Sequence, residues 1–183
     1  LMDYGMKENI RRKLEKFGAE VILCPYNTTA EQIEALHVDG IMLSNGPGDP
    51  ADNVEVIHNL QEIMKLNLPI FGICLGHQLL ALANGVKTEK LKYGHRGANQ
   101  PVKNLETGRV YISSQNHRYA VMSSSIDNAI AEEYFINVND KTCEGIRYKN
   151  IPAFSVQFHP EACGGPCDTS FLFNQFFDMM DKH

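Results

Sequence analysis

The stretch that most constrains this chain is Pro69-Ile70-Phe71-Gly72-Ile73-Cys74-Leu75-Gly76-His77-Gln78, an apolar run that stops at a cysteine with a glycine two residues away on either side. A short apolar run bounded by proline and glycine reads as a buried strand. The spacing from Gly72 to Gly76 is that of a strained strand-to-helix turn that exposes a nucleophile, its glycines relieving the crowding. Downstream, Gln78-Leu79-Leu80-Ala81-Leu82-Ala83 favours helix, so the flanking context such a turn needs is present. The positive end of a helix also suits an anionic sulfur. Taken alone, the cysteine still reads first as a buried structural residue, and the rest of the chain has to overturn that.

Around this run the chain alternates helix and strand patterns. Met6, Ile10, Leu14 and Phe17 form one stripe of an amphipathic helix ending at Gly18, with Lys7, Arg11, Arg12, Lys13 and Lys16 on its solvated side. Residues 20–24 read as a strand stopped by Pro25, Thr28 or Thr29 caps a helix through Ile33 and Leu36, and residues 40–44 read as the next strand. Val54, Ile57, Leu60 and Met64 mark a further helix before Pro69. This alternation predicts a parallel sheet wrapped by helices, with ligands outside the carboxyl ends of its strands.

Two more segments then fall at such strand ends. Asn45-Gly46-Pro47-Gly48-Asp49-Pro50 is bare and rigid; read by itself it is a plain turn, but Gly46 or Gly48 can also aim an amide at a developing oxyanion, and Pro47 cannot. The apolar run 152–158 ends in His159-Pro160-Glu161, and Asp168 or Thr169 caps a last helix carrying Leu172, Phe173, Phe176, Phe177 and Met180. An amide loop, a cysteine turn and a His/Glu pair are together the parts of nucleophilic acyl transfer. Cys74 attacks, His159 moves the proton, Glu161 orients His159, and the amide of Leu75 helps to hold the oxyanion.

Past Gly85 the texture changes to short β-rich pieces at 86–91, 100–105, 109–113, 129–138 and 144–148, an antiparallel or mixed extension with a hairpin turn at Thr107-Gly108. Two loops, 93–101 and 113–119, are crowded with side chains able to read a polar substrate; His95 and His117 lie in them and could touch substrate or partner. His77 reads as scaffold, and His37 and His58 as surface residues.

At 183 residues and 43% hydrophobic, the chain can bury a core as one domain, 1–183, without staples. Its 17 Lys and Arg against 22 Asp and Glu, a net charge of -5, argue against a nucleic-acid footprint. No apolar run approaches the ~20 residues of a membrane span. Five cysteines, an odd number, with no signal peptide point to a reducing, cytoplasmic compartment that leaves Cys74 a free thiol. Cys163 and Cys167 have a zinc-like gap, but no second pair accompanies them, so no metal is expected. The opening, Leu1-Met2-Asp3-Tyr4-Gly5, looks like the end of a strand whose beginning is absent, as in a fragment.

Gly-Pro-Gly-Asp-Pro at 46–50, Phe-Gly-Ile-Cys-Leu-Gly-His-Gln at 71–78 and Phe-His-Pro-Glu-Ala at 158–162 resemble the three signatures of the class I glutamine amidotransferases, a likeness covering essentially the whole chain. The intervening loops resemble those of carbamoyl-phosphate synthetase small chains: residues 3–10, Gly94 to Val102, Ser114-Gln115-Asn116-His117 and Gly165-Pro166-Cys167-Asp168-Thr169. The resemblance implies an α/β, flavodoxin-like, mainly parallel sheet flanked by helices, with a small antiparallel or mixed β extension. It implies hydrolysis of L-glutamine through a thioester at Cys74, with His159 and Glu161 as above, and substrate contacts at Gly46, Gly48, Leu75, Gln78, Asn116, Arg118 and Tyr119. It further implies ammonia transfer to a large synthetase chain, no cofactor in this domain (ATP and magnesium belonging to the large chain), and an amino-terminal domain that is absent here. An amidotransferase serving another synthase and a non-catalytic module that kept the fold are the alternatives. One departure stands out: Arg118 occupies a position where the family usually has glycine, at a cost if the backbone there needs positive φ.

Overall fold

The computed structural model describes residues 1–162 and 167–183. In chain order its elements are β1 (Met2–Asp3), α1 (Glu8–Lys16), β2 (Cys24–Pro25), α2 (Ala30–Leu36), β3 (Ile41–Leu43), α3 (Val54–Met64), β4 (Ile70–Ile73), α4 (Leu75–Ala83), β5 (Thr88–Asn104), β6 (Val110–Val121), β7 (Ala131–Asn137), β8 (Cys143–Tyr148), β9 (Ala153–Val156) and α5 (Phe171–Lys182). The strands form one sheet in the order β2-β1-β3-β4-β9-β8-β7-β5-β6. Its first five members are parallel and follow the flavodoxin-like order, with β9 as the fifth strand. Strands β5 to β8 intervene in the chain before β9 and extend the sheet antiparallel beyond it. The expected architecture, parallel core plus antiparallel extension, is the one observed.

The period-2 alternation of β4 explains why the sheet is covered on both faces. Ile70 joins the core formed with Ile33, Val56, Leu60, Ile63 and Leu79 from α2, α3 and α4. Phe71 and Ile73 point the other way, into the core with Ile10 and Leu14 of α1 and Leu172, Phe173 and Phe176 of α5. Phe71 stacks on Phe154 of β9 at 4.4 Å and meets Phe173 edge-on at 5.5 Å, so two adjacent parallel strands are locked by one aromatic cluster.

Helix starts follow local chemistry. Thr29 and Gln32 make a reciprocal capping box at α2, while Thr28 instead donates its hydroxyl to the Pro25 carbonyl. The α1 stripe packs as expected through Ile10 and Leu14, and Gly18 adopts φ +98° just beyond it.

Three details differ from the sequence reading. Residues 20–23 are not strand, because the ladder to β1 holds just Met2–Cys24 and Asp3–Pro25; proline is admitted there because β2 is an edge strand. The loops expected at 93–101 and 113–119 lie inside the long strands β5 and β6. Their pairing slips between Lys90 and His95 and between Gly97 and Gln100, and Gly94 (φ +71°) and Gly97 (φ +109°) supply the backbone that lets the strand bulge and continue. Finally, α5 starts at Phe171 after a 3-10 turn, with Ser170 at its cap position and no side-chain capping bond, so Thr169 is not its cap, and the Asp168 side chain lies outside what is described. Cys163, Gly165 and Pro166 lie outside the described residues.

Candidate active site

Cys74 stands between β4 and α4 with φ 53° and ψ −105°, a conformation that L-residues avoid and that turns the chain sharply from strand to helix. Its amide is tied to the Val156 carbonyl of β9 at 2.9 Å. The flanking glycines are explained by contact. A Cβ on Gly72 would come within about 3.0 Å of the Gly76 carbonyl, and one on Gly76 would fall on the Leu43 carbonyl of β3. The elbow is therefore wedged between the two neighbouring parallel strands.

Those neighbours bring the other groups. From the end of β9 comes His159, whose amide bonds the Ser114 carbonyl of β6 at 2.9 Å and whose Nδ1 is 2.6 Å from Glu161 Oε1, both side chains buried. Burial works against a charged imidazole here, but hydrogen bonding to Cys74 and Glu161 outweighs it and raises His159 to about 9. His159 is thus an imidazolium at neutral pH, poised between sulfur and carboxylate. From the end of β3 come Asn45 to Asp49. A Cβ on Gly46 would overlap the Tyr4 carbonyl and sit 2.8 Å from a Leu75 methyl, so only glycine lets this loop approach the elbow.

The helix start supplies amide donors. In an α-helix the first N–H groups have no intrahelical acceptor. At α4 the Gly76 amide is taken by the Ser44 carbonyl at 3.0 Å, and Gln78 makes the first bond back to Cys74. Leu75 occupies the first helical position, next to the sulfur.

A cavity of about 660 Å³ opens over the elbow, lined among others by Gly46, Gly48, Cys74, Gln78, Asn116, Arg118, Tyr119 and His159. Of the expected substrate contacts, Leu75 alone is not in its wall; its side chain is buried beneath, leaving the backbone as its contribution. Glu161 stands behind His159. Arg118 lies in β6, is exposed, and has no positive φ, so the departure from glycine strains nothing and adds a cation at the mouth.

Some participants were not evident from sequence. Gln157, read as part of an apolar strand, is fully buried and donates Nε2 to the Cys74 sulfur at 3.5 Å. Its Oε1 accepts from Gln78 Nε2 at 2.9 Å, which also donates to the Tyr119 carbonyl at 2.8 Å. The signal was a glutamine two residues before the histidine, in an otherwise mostly apolar run. Lys7, read on a solvated face, lines the cavity with Lys90 and Arg96; its amide is held by Asn45 Oδ1 at 2.9 Å. His77 is scaffold, as expected: it is wholly buried, hydrogen-bonded to Ser155 Oγ at 2.7 Å and lowered to about 3 by burial. His95 and His117 are strand residues with buried rings.

Residues 1–179 match the family described as glutamine amidotransferase class-I. The chain is 56% identical over 182 residues to the carbamoyl phosphate synthase small chain of Bacillus cereus (strain ATCC 10987 / NRS 248), covering 100% of this chain and 50% of that one. It is 54% identical over 183 residues to the corresponding small chain of Fusobacterium nucleatum subsp. nucleatum, covering 100% and 51%. The chain therefore spans about half the length of the curated relatives it matches. Among solved structures, a putative GMP synthase protein from Thermoplasma acidophilum superposes with a TM-score of 0.85 over 99% of this chain and 92% of that one; at 20% identity it shows the fold.

Proposed function

The chain belongs to the class I glutamine amidotransferases, and from that membership we propose that it hydrolyses the side-chain amide of L-glutamine through a Cys74 thioester and supplies the ammonia to a carbamoyl-phosphate synthetase large chain. The observation that carries the proposal is the strained Cys74 elbow facing a buried imidazolium–carboxylate pair, His159 and Glu161. The sulfur, facing the His159 imidazolium, attacks the amide carbon. The developing oxyanion meets the Leu75 amide and that of Gly46 or Gly48, each such donor contributing roughly 3–4 kcal/mol in comparable sites. His159 gives its proton to the departing nitrogen, and ammonia leaves. Neutral His159 then takes a proton from water, the hydroxide adds to the thioester, and glutamate departs with the thiolate restored.

Gln78, Asn116, Arg118 and Tyr119 would read the amino-acid end of the substrate from the cavity wall, and Lys7, Arg96 and Arg118 make that wall favourable for an α-carboxylate. Gln157 orients the sulfur. No step here calls for a cofactor in this chain; ATP and magnesium would act on the large chain. Among the described residues no helix is long and apolar enough to cross a membrane.

The test is release of glutamate and ammonia from glutamine by the chain alone and with a carbamoyl-phosphate synthetase large chain. Turnover is expected with the large chain present, and Cys74→Ser should abolish it while leaving fold and partner binding in place. Absence of turnover in both conditions with an intact thiol, or turnover retained by Cys74→Ser, overturns the proposal. Ammonia release stimulated only by a different synthase would reassign the partner.

A further inference from the structure

The antiparallel extension brings four side chains from three strands to one point. His95 Nδ1 on β5 lies 3.3 Å from His117 Nε2 on β6, 3.2 Å from Glu144 Oε1 on β8 and 3.1 Å from Gln115 Oε1 on β6. His117 Nε2 is in turn 2.8 Å from Gln115 Oε1. All four residues are buried, Glu144 completely.

Protons alone do not satisfy this cluster. The other nitrogen of His117, Nδ1, faces the Tyr119 carbonyl at 2.8 Å, which can only accept, so the proton sits there and Nε2 presents a lone pair. The other nitrogen of His95, Nε2, faces the Asp140 carboxylate at 2.6 Å and carries a proton for the same reason. Gln115 donates its Nε2 to Ser113 Oγ at 3.2 Å, which turns Oε1 inward. With His95 Nδ1 deprotonated, four lone-pair atoms converge. A further proton on His95 would answer one neighbour and leave His117 Nε2 against the Gln115 oxygen. Glu144 Oε2 has no hydrogen-bond partner among the described residues, and Asn137 reaches Oε1 at only 3.4 Å.

We propose that His95, His117, Glu144 and Gln115 form a binding site for a divalent metal ion of the zinc class, beside the catalytic cavity. Bonds of about 2.0–2.1 Å to nitrogen and oxygen in a tetrahedron put neighbouring donors roughly 3.3 Å apart; the four separations above are 2.8 to 3.3 Å, and the ligand atoms of His95, His117 and Glu144 all lie within 4.8 Å of one another. Two imidazoles and a carboxylate suit zinc, or cobalt in its place, over magnesium or calcium. Each imidazole has its second nitrogen held by an oxygen, the arrangement that fixes tautomer and ring plane in metal sites. The ion would also supply a positive charge to the buried Glu144. Binding ties β5, β6 and β8 together directly under His117, whose neighbours Asn116 and Arg118 line the cavity.

The experiment uses the Cys74→Ser chain, so that the elbow thiol cannot bind metal. After chelation it is dialysed against Zn²⁺, passed through gel filtration and analysed for bound metal. About one ion per chain is expected. Glu144→Gln should weaken binding more than tenfold, and Asp140→Asn, on a half-exposed residue, by about 10–100-fold. X-ray absorption on the zinc form should show nitrogen and oxygen neighbours with no sulfur at about 2.3 Å. A metal-free product, a sulfur neighbour, or affinity unchanged in Asp140→Asn overturns the proposal. If Glu144→Gln does not fold, the absorption spectrum and Asp140→Asn still decide it.

Discussion

The His159–Glu161 pair should make the stability of this protein fall as pH rises through the alkaline range, and the structure sets the size of the effect. His159 is 5% exposed. Burial opposes its charge, while Cys74 and Glu161 favour it more, raising it from 6.5 to about 9. Of the other titratable groups near it, His117 is held neutral, lowered to about 4 chiefly by burial. Because the folded value lies above the unfolded one, the folded state holds the proton more tightly. The stabilisation is complete below pH 6.5 and disappears as pH climbs through 9. At 1.36 kcal/mol per pH unit the shift is worth roughly 3 kcal/mol, a large share of a typical folding free energy. Urea unfolding of wild type and His159→Asn between pH 6 and 10 isolates it, because the difference between the two cancels every other titrating group to first order. That difference should shrink by about 3 kcal/mol across the window, with most of the change between pH 7 and 9. A difference independent of pH, or one that grows toward alkaline pH, would refute the imidazolium–carboxylate pairing on which the mechanism rests.

Further outcomes follow from single contacts. Gly76→Ala puts a methyl on the Leu43 carbonyl, backbone that cannot yield cheaply, so it should cost at least about 1–3 kcal/mol and inactivate the elbow; urea unfolding and glutamine turnover check both. Gln157→Met removes the hydrogen bond to the Cys74 sulfur and the one that holds Gln78 at similar volume; it should lower kcat about tenfold, on the order of a 1.4 kcal/mol interaction, and raise KM as Gln78 loses its partner. Arg118→Ala removes an exposed side chain from unstrained backbone. It should leave stability within about 0.5 kcal/mol and raise KM for glutamine, and a loss of stability above that range would show that the residue carries the fold.

What could be read directly from the sequence were features whose physics is local. The Cys74 elbow announces itself because a sharp strand-to-helix turn needs glycines at fixed offsets, and Gly72 and Gly76 are where the structure has no room for a Cβ. The parallel core was legible because runs such as Ile70-Phe71-Gly72-Ile73 and the helical stripe of Ile10 and Leu14 report periodicity over a few residues. Gly46, His159 and Glu161 fell into place because strand ends in such sheets share one rim. The β5–β6 region was misread as loops for a complementary reason: its polar residues and glycines resemble loop sequence, and only pairing with β6 and β7 shows that bulges at Gly94 and Gly97 keep the strand going.

Tertiary structure alone decided what lies opposite what. Gln157 becomes a partner of the nucleophile because β9 pairs with β4 in register, Val156 against Ile73. Lys7 turns from a surface lysine into a cavity residue because the end of β1 abuts the Asn45 loop. His95, His117 and Glu144 meet across strands separated by tens of residues. Strand register is a long-range property, set by which face of each pleat the core buries. The chain therefore announced its fold and its cysteine elbow in short words, and left to the assembled sheet the choice of which buried polar groups would stand beside them.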